Sequence, residues 1–447
     1  MTRAVALIDG EHYPPVVRFA LEELAADHDV VAAVFIGGTE KVDVAAGADV
    51  YGIPVIAVAD RAEGVRRAIA QYAPDELVDL SDEPVITPDG RFELASLALS
   101  LGVEYRGADF RFVPPRAAEV TRTPALAIIG TGKRVGKTSV SAYVARHLKA
   151  AGHDIVVLAM GRGGPAEPEL IRGDLVTLTT ADLLELARQG VHAASDNYED
   201  AVMSRVTTVG CRRCGGGLAG ETFFSNVPEG ARLADSLGKE LVVLEGSGAA
   251  IPPVAADATI LVVGAAQGVH YVRDYFGPYR LARADAVIVA GAEEPSATAD
   301  DLSELVAAIR RLREDVPIAL TTFRPRPLGD VDGARVFFAT TAPAHVLPRL
   351  VDHLERVHGC TVIAASPHLS DRSRLRADLA EHAGAYDVLL TELKAAAIDV
   401  VAAAGEDGGV PTVLCDNDPV SVDGGDLDAL VDRVFDLAVA CGGARRR

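Results

Sequence analysis

Gly130-Thr131-Gly132-Lys133-Arg134-Val135-Gly136-Lys137-Thr138 decides how this chain folds. It follows an apolar run, Ala125 to Ile129, that reads as a buried strand, and it opens a helical stretch from Ser139 to Lys149. Strand, glycine loop and helix in that order aim backbone N–H groups and a positive helix end at phosphate oxygens. They also supply a lysine for the outer phosphates and a hydroxyl for magnesium. The reading predicts a nucleoside triphosphate site made by Gly130, Thr131, Gly132, Arg134, Val135, Gly136, Lys137, Thr138 and Ser139. The spacing departs from the standard Walker loop, because five residues rather than four separate Gly130 from Gly136, and Thr131 falls where the first glycine is expected.

On both sides of this loop, short Val/Ile/Leu/Ala runs alternate with amphipathic stretches of helical period, the pattern of parallel sheets covered on both faces. The predicted fold class is α/β: an N-terminal doubly wound α/β domain (1–116), then a P-loop NTPase domain with a mostly parallel sheet (122–345), then a C-terminal α/β extension (346–447) packed on it. Strands are expected at Val5 to Ile8, Val30 to Ile36, Val55 to Val58 and Leu77 to Leu80 in the first domain. After the linker Phe112 to Thr123, the second sheet is expected to use Ile155 to Ala159, Leu175 to Leu178, Leu241 to Leu244, Thr259 to Val263, Ala286 to Val289 and Ile318 to Thr321. Val336 to Ala339, Thr361 to Ala364, Val388 to Leu390 and Thr412 to Cys415 either extend that sheet or form a third lobe.

Composition excludes some partners. With 43 basic against 64 acidic side chains in 447 residues, the formal charge is −21, which argues against nucleic acid or an anionic membrane as a broad-surface partner. An anionic substrate then needs a local cluster of lysine and arginine. The first apolar run ends at Asp9 and no later one reaches membrane-spanning length, so a cytoplasmic protein is expected. Five cysteines, an odd number, fit a reducing compartment.

Chemistry in parallel sheets gathers at the carboxyl ends of strands. One such end continues as Met160-Gly161-Arg162-Gly163-Gly164-Pro165, where Arg162, Gly163 and Gly164 form a candidate substrate anion site. Another continues as Glu245-Gly246-Ser247-Gly248, with Glu245 placed to hold magnesium together with Thr138. In Gly210-Cys211-Arg212-Arg213-Cys214-Gly215-Gly216-Gly217, the pair Arg212 and Arg213 with a glycine run makes either a phosphate cradle or a surface loop. Cys211 and Cys214 alone supply only two of the four ligands that structural zinc needs. Asp196 to Asp200 either caps a helix or meets magnesium and substrate. Lys394 either enters the site or starts a helix with its charge in water. His12, in Asp9-Gly10-Glu11-His12, reads more readily as structural than catalytic, and Gly37 to Lys41 is either an anion site or a plain turn.

Taken in order, Asp9-Gly10-Glu11-His12, the Gly130 to Thr138 loop, Gly161-Arg162-Gly163-Gly164-Pro165, Glu245-Gly246-Ser247-Gly248 and Glu392-Leu393-Lys394-Ala395-Ala396-Ala397 resemble the cyclic 2,3-diphosphoglycerate synthetase family. The resemblance runs from the first strand to about Asp418. The displaced first glycine of the loop is similar to that of the dethiobiotin synthetase branch of P-loop proteins. What the resemblance implies is a cytoplasmic enzyme that uses ATP and Mg2+ to phosphorylate 2,3-diphosphoglycerate and close it into a cyclic diphosphate, releasing ADP and phosphate. Lys133, Lys137 and Glu245 would then be catalytic, Arg162, Gly163, Gly164, Arg212 and Arg213 would hold substrate, and a homodimer is expected. Two other readings stay open at this point: a kinase or ligase acting on another small anion, and a dimeric ATPase switch.

Overall fold

The computed structural model describes residues 1–38, 40–41 and 48–445. The chain divides into two compact units. The first comprises Met1–Pro115 with two returning segments, Val269–Arg283 and Arg311–Arg313. Its strands are β1 (Thr2–Ile8), β2 (His28–Phe35), β3 (Val55–Ala57), β4 (Glu76–Asp79), β5 (Glu104–Arg106) and β6 (Arg111–Phe112). They lie in the order β3-β2-β1-β4-β5-β6, all parallel except β6 against β5. Apolar side chains bury both faces of β1, so Ala4 to Leu7 are fully enclosed. The returning segment is fastened by aromatic contacts, Phe276 edge-on to Phe92 and Phe112 at 5.4 and 5.0 Å between ring centroids.

His12 is held between two carboxylates, Nδ1 2.9 Å from Asp9 and Nε2 3.3 Å from Asp82, and Asp9 also accepts the backbone N–H groups of Glu11, His12 and Asp82. The motif Asp9 to His12 therefore ties the ends of β1 and β4 together. Of the Gly37 to Lys41 stretch, Thr39 lies outside the described residues.

The second unit is built on a 13-stranded sheet among the described residues. Its strands are β7 (Ala125–Gly130), β8 (Ile155–Gly161), β9 (Glu169–Arg172), β10 (Thr207–Cys214), β11 (Phe224–Ser225), β12 (Leu241–Glu245), β13 (Ala258–Gly264), β14 (Ala286–Ala290), β15 (Ile318–Pro327), β16 (Arg335–Ala339), β17 (Thr361–Ser366), β18 (Val388–Glu392) and β19 (Thr412–Ser421). The order is β11-β10-β8-β12-β7-β13-β14-β15-β19-β18-β16-β17, with β9 beside β10. All neighbours from β10 to β15 in this order are parallel. The strands after residue 335 join this sheet.

Two sequence expectations need correction. Leu175 to Leu178 is not a strand: Leu175 and Val176 are 72% and 55% exposed, in a turn stabilised by N–H groups that return to the Arg172 carbonyl. An apolar run is no evidence of a strand when nothing covers it. Conversely, the arginine–cysteine segment read as a loop is the end of strand β10, whose residues Thr207 to Arg212 pair with Val156 to Gly161 of β8.

Register explains how the last strands come near the Gly130–Thr138 loop. β15 pairs with β14 only through Ile318 to Thr321, then continues past the carboxyl end of β14 and pairs antiparallel with β19 from Thr321 to Pro327. That overrun brings β19, and β18 paired with it, to the side of the sheet on which the Gly130–Thr138 loop opens. The contact is sealed by an apolar cluster in which Leu393, Ile398 and Leu414 meet Ala142 of the helix after the loop and Tyr198, Val202 and Met203 of the helix Asp196–Ser204. On a second core, Val140, Val144 and Leu148 pack with Val431, Val434 and Phe435 of the C-terminal helix.

Among the described residues no helix is long and apolar enough to cross a membrane.

Candidate functional site

The loop leaves β7 at Gly130, and the helix Lys137–Ala150 begins directly after it. Two residues reverse the chain with positive φ, Arg134 at +62° and Gly136 at +89°. At Gly136 only glycine fits, since a Cβ there would stand 2.1 Å from the ring of Phe323. Gly130 leaves room for the methylenes of Lys137, whose Cδ would be 2.8 Å from a Cβ at that position. The lysine runs back along the loop and its Nζ donates to the Gly132 carbonyl at 2.7 Å. Gln267, just after β13, takes the Thr131 hydroxyl at 2.5 Å, and the Thr131 N–H donates to Val262. The loop is thus shaped by its neighbours.

Lys137 is 7% exposed, and burial brings its pKa down to about 8. Arg162 and Arg213 share its field, and neighbouring cations act on one another in turn. The pKa of Lys133 is lowered, first by Arg162 and then by burial and Arg134, and that of Arg213 is lowered by burial and then by Arg162. Cations that depress one another in this way form a site that favours an anion.

Facing them is a wall of carboxylates. Glu245 closes β12 and is 3% exposed, while Asp196, Glu199 and Asp200 come from the helix Asp196–Ser204. Burial raises the pKa of all four. Asp200 and Glu245 act on each other's charge, and both Asp200 oxygens and Oε2 of Glu245 are buried without a hydrogen-bond partner. Thr138 reaches Glu245 and lowers its pKa. Orphaned carboxylate oxygens beside a hydroxyl fit a divalent cation, which would satisfy them. Among the described residues no set of three or more His, Cys, Asp or Glu side chains is arranged to hold a metal ion, so a cation here would share its coordination with ligand phosphates and water.

The remaining predicted residues fall on the same edge with different partners. Arg212 donates through Nε to the carbonyls of Gly164 and Pro165, at 3.2 and 2.6 Å, so it clamps the glycine turn. Gly164 crosses β10 so closely that a Cβ would lie 2.0 Å from the Cys211 carbonyl oxygen, and one on Gly163 would lie 2.8 Å from His192. Arg213 donates to the Ser247 carbonyl at 2.8 Å and stands beside Gly248. Arg162 is exposed and its charge acts on Lys133, Lys137, Asp196 and Arg213. Cys211 is buried, its thiol pushed up to about 12 by burial, and Cys214 is exposed; both are free.

Two features of the edge were not legible as site residues, and a third was left open. Gln267 follows an ordinary strand end with no motif around it. Glu392 is singled out only within the motif Glu392 to Ala397; it closes β18, is 3% exposed and accepts from Thr340, Thr341 and Asn417. Lys394, left open by the sequence, lies with its Nζ 3.0 Å from Glu199 Oε1.

Comparison with known proteins agrees along the whole chain. Sequence models described as the N-terminal, P-loop and C-terminal domains of cyclic 2,3-diphosphoglycerate synthetase match residues 3–113, 125–322 and 327–418. The cyclic 2,3-diphosphoglycerate synthetase of Rubrobacter xylanophilus is 51% identical over 423 residues, 94% of each chain. Its namesake from Methanothermus fervidus is 45% identical, covering 98% of this chain and 97% of its own, and that from Thermococcus kodakarensis is 47% identical over 95% and 96%.

Proposed function

The chain belongs to the cyclic 2,3-diphosphoglycerate synthetase family, and from that premise we propose that it uses ATP and Mg2+ to close 2,3-diphosphoglycerate into its cyclic diphosphate, releasing ADP and phosphate. The observation that supports this reading is the crowding of Lys133, Lys137, Arg162 and Arg213 at one sheet edge, opposite Glu245 and Asp200. A substrate with two phosphates and a carboxylate needs such a concentration of charge, which a chain of formal charge −21 must supply locally.

Joining two phosphates of one molecule requires that one become electrophilic. An oxygen of one substrate phosphate attacks the γ-phosphorus of ATP, the bond to ADP breaks, and the substrate now carries a diphosphate. An oxygen of its second phosphate then attacks the inner phosphorus, and inorganic phosphate leaves as the ring closes. Both steps need positioning and charge neutralisation more than covalent help.

Lys137, wrapped in the loop, follows the outer phosphates of ATP, and Lys133 meets the transferred group. Arg162 and Arg213 hold the substrate phosphates, with Gly163 and Gly164 allowing close backbone approach. Arg212 acts by fixing the Gly164–Pro165 turn. The backbone N–H groups from Gly130 to Ser139 bind the nucleotide phosphates. When bound, Mg2+ supplies further neutralisation, held by the Thr138 hydroxyl and Glu245. We assign the enzyme to the cytoplasm and expect it to work as a homodimer, measurable by light scattering at twice 46.7 kDa. The nucleotide and both phosphoryl steps are assigned to 122–345, with 346–447 supporting them and 1–116 forming the N-terminal domain.

Incubation of the protein with ATP, Mg2+ and 2,3-diphosphoglycerate, followed by phosphorus NMR, tests the assignment. A new diphosphate signal rising with ADP supports it. ADP release indifferent to the added acid would favour a switch ATPase, and a linear phosphorylated product a kinase.

A further inference from the structure

Lys394 stands two residues beyond β18, on a turn whose backbone is unusual twice over. Ala395 has φ +48°, a left-handed conformation that alanine seldom adopts, and Ala397–Ala402 winds as a π-helical turn. Such backbone persists only where the surroundings over-determine it. Leu393 and Ala396, both fully buried, supply that constraint. The outcome is a lysine set deep at the sheet edge, with 28% of its side-chain surface open and its Nζ on Glu199, which is itself 6% open.

A buried ion pair is a poor device for stability alone, because desolvation offsets most of its attraction. Its place in the site is more informative. Glu199 lies in the first turn of the helix Asp196–Ser204, three residues from Asp196 and next to Asp200. Asp196 approaches Gly161 and feels Lys137, Arg162 and Lys394, while Asp200 faces Glu245. Glu392 is already saturated by the two threonines and Asn417, so Glu199 is the side chain that Lys394 grips among the described residues. One cation thus fixes the turn that carries three carboxylates of the site.

We infer that Lys394 is a positioning residue for phosphoryl transfer: by gripping Glu199 it sets Asp196 and Asp200 against Lys137 and Glu245. This inference rests on the reading of the loop as the nucleotide site. Loss of positioning by about 1 Å costs on the order of 100-fold in rate.

The test uses the full chain with Lys394→Met, Lys394→Arg, Glu199→Gln and the Lys394→Met/Glu199→Gln double variant, measuring kcat, the affinity for a nonhydrolysable ATP analogue, and thermal unfolding. Lys394→Met is expected to lose about 100-fold in kcat with analogue affinity within about threefold of the parent. Lys394→Arg should recover part of that loss. The double variant should be no slower than Lys394→Met, because the two residues act as a unit. A kcat within twofold of the parent, a matching loss of analogue affinity, or multiplicative losses in the double variant overturns the inference. If Lys394→Met does not fold, Glu199→Gln and Lys394→Arg decide: lowered kcat at unchanged analogue affinity supports the role, and unchanged kcat refutes it. Failure of the parent protein to bind the analogue would instead contradict the nucleotide site itself.

Discussion

The ring of Phe323 rests against the α-carbon of Gly136, so that a methyl group on Gly136 would come within 2.1 Å of it. Phe323 belongs to β15, the strand that overruns the sheet, and Gly136 to the loop. The two elements are shaped to each other at the point where the helix Lys137–Ala150 begins.

Gly136→Ala therefore combines a positive-φ penalty with a steric clash, together roughly 2–4 kcal/mol of stability. Nucleotide binding should weaken by at least tenfold, because the loop can relieve the clash only by moving. Thermal unfolding and analogue titration measure the two effects. An alanine variant that binds normally would show that the loop is looser than described.

Lys137→Met should abolish turnover without lowering stability. Burial already brings the lysine down to about 8, so the folded protein carries a strained ammonium whose removal is neutral or favourable. Steady-state ADP release should fall by about 1,000-fold or more while the unfolding midpoint holds or rises.

The same lysine sets a pH dependence. In the free protein it is largely neutral above about pH 8, against 10.5 for an ordinary lysine, and phosphates favour its charged form. Nucleotide binding above pH 8 should then take up close to one proton, with apparent affinity falling by up to about tenfold per pH unit. For folding the sign is opposite: the unfolded chain binds more protons at this residue between about 8 and 10.5, so its contribution to the stability of the free protein improves as pH rises through that window. Calorimetry in buffers of different ionisation enthalpy reads the proton uptake directly.

Arg212 and Arg213 are adjacent in sequence yet differently engaged, and their variants should separate. Arg213→Ala should raise the KM for 2,3-diphosphoglycerate by about 10- to 100-fold with ATP affinity nearly unchanged. Arg212→Ala leaves the Gly164 carbonyl without this donor and the Pro165 carbonyl with Asn226 alone, and should lower kcat and substrate affinity together. Equal effects of both substitutions on ATP binding would contradict these roles.

How much of this was legible in the sequence follows from how local each feature is. The Gly130–Thr138 loop was legible because strand, turn and helix are consecutive, and the place of Glu245 at a strand's carboxyl end because a carboxylate leaving an apolar run is a local signal. Strand β10 was hidden by its own composition, since arginine, cysteine and glycine at its end suggest a loop. Leu175 and Val176 misled in the other direction, because an apolar run does not reveal whether anything covers it. The pairing of Lys394 with Glu199 joins segments almost 200 residues apart in sequence, and depends on β15 running past its neighbour. No periodicity encodes that. The family resemblance, carried by motifs in order, proved sound along the chain.

The most direct test follows an oxygen atom. If a substrate phosphate attacks the γ-phosphorus and the resulting diphosphate is then opened by ring closure, the inorganic phosphate released must carry one oxygen from the substrate. With 2,3-diphosphoglycerate labelled by oxygen-18 in its phosphates, mass spectrometry should find one labelled atom in each phosphate released. Released phosphate without label, its new oxygen drawn from water, would contradict the account.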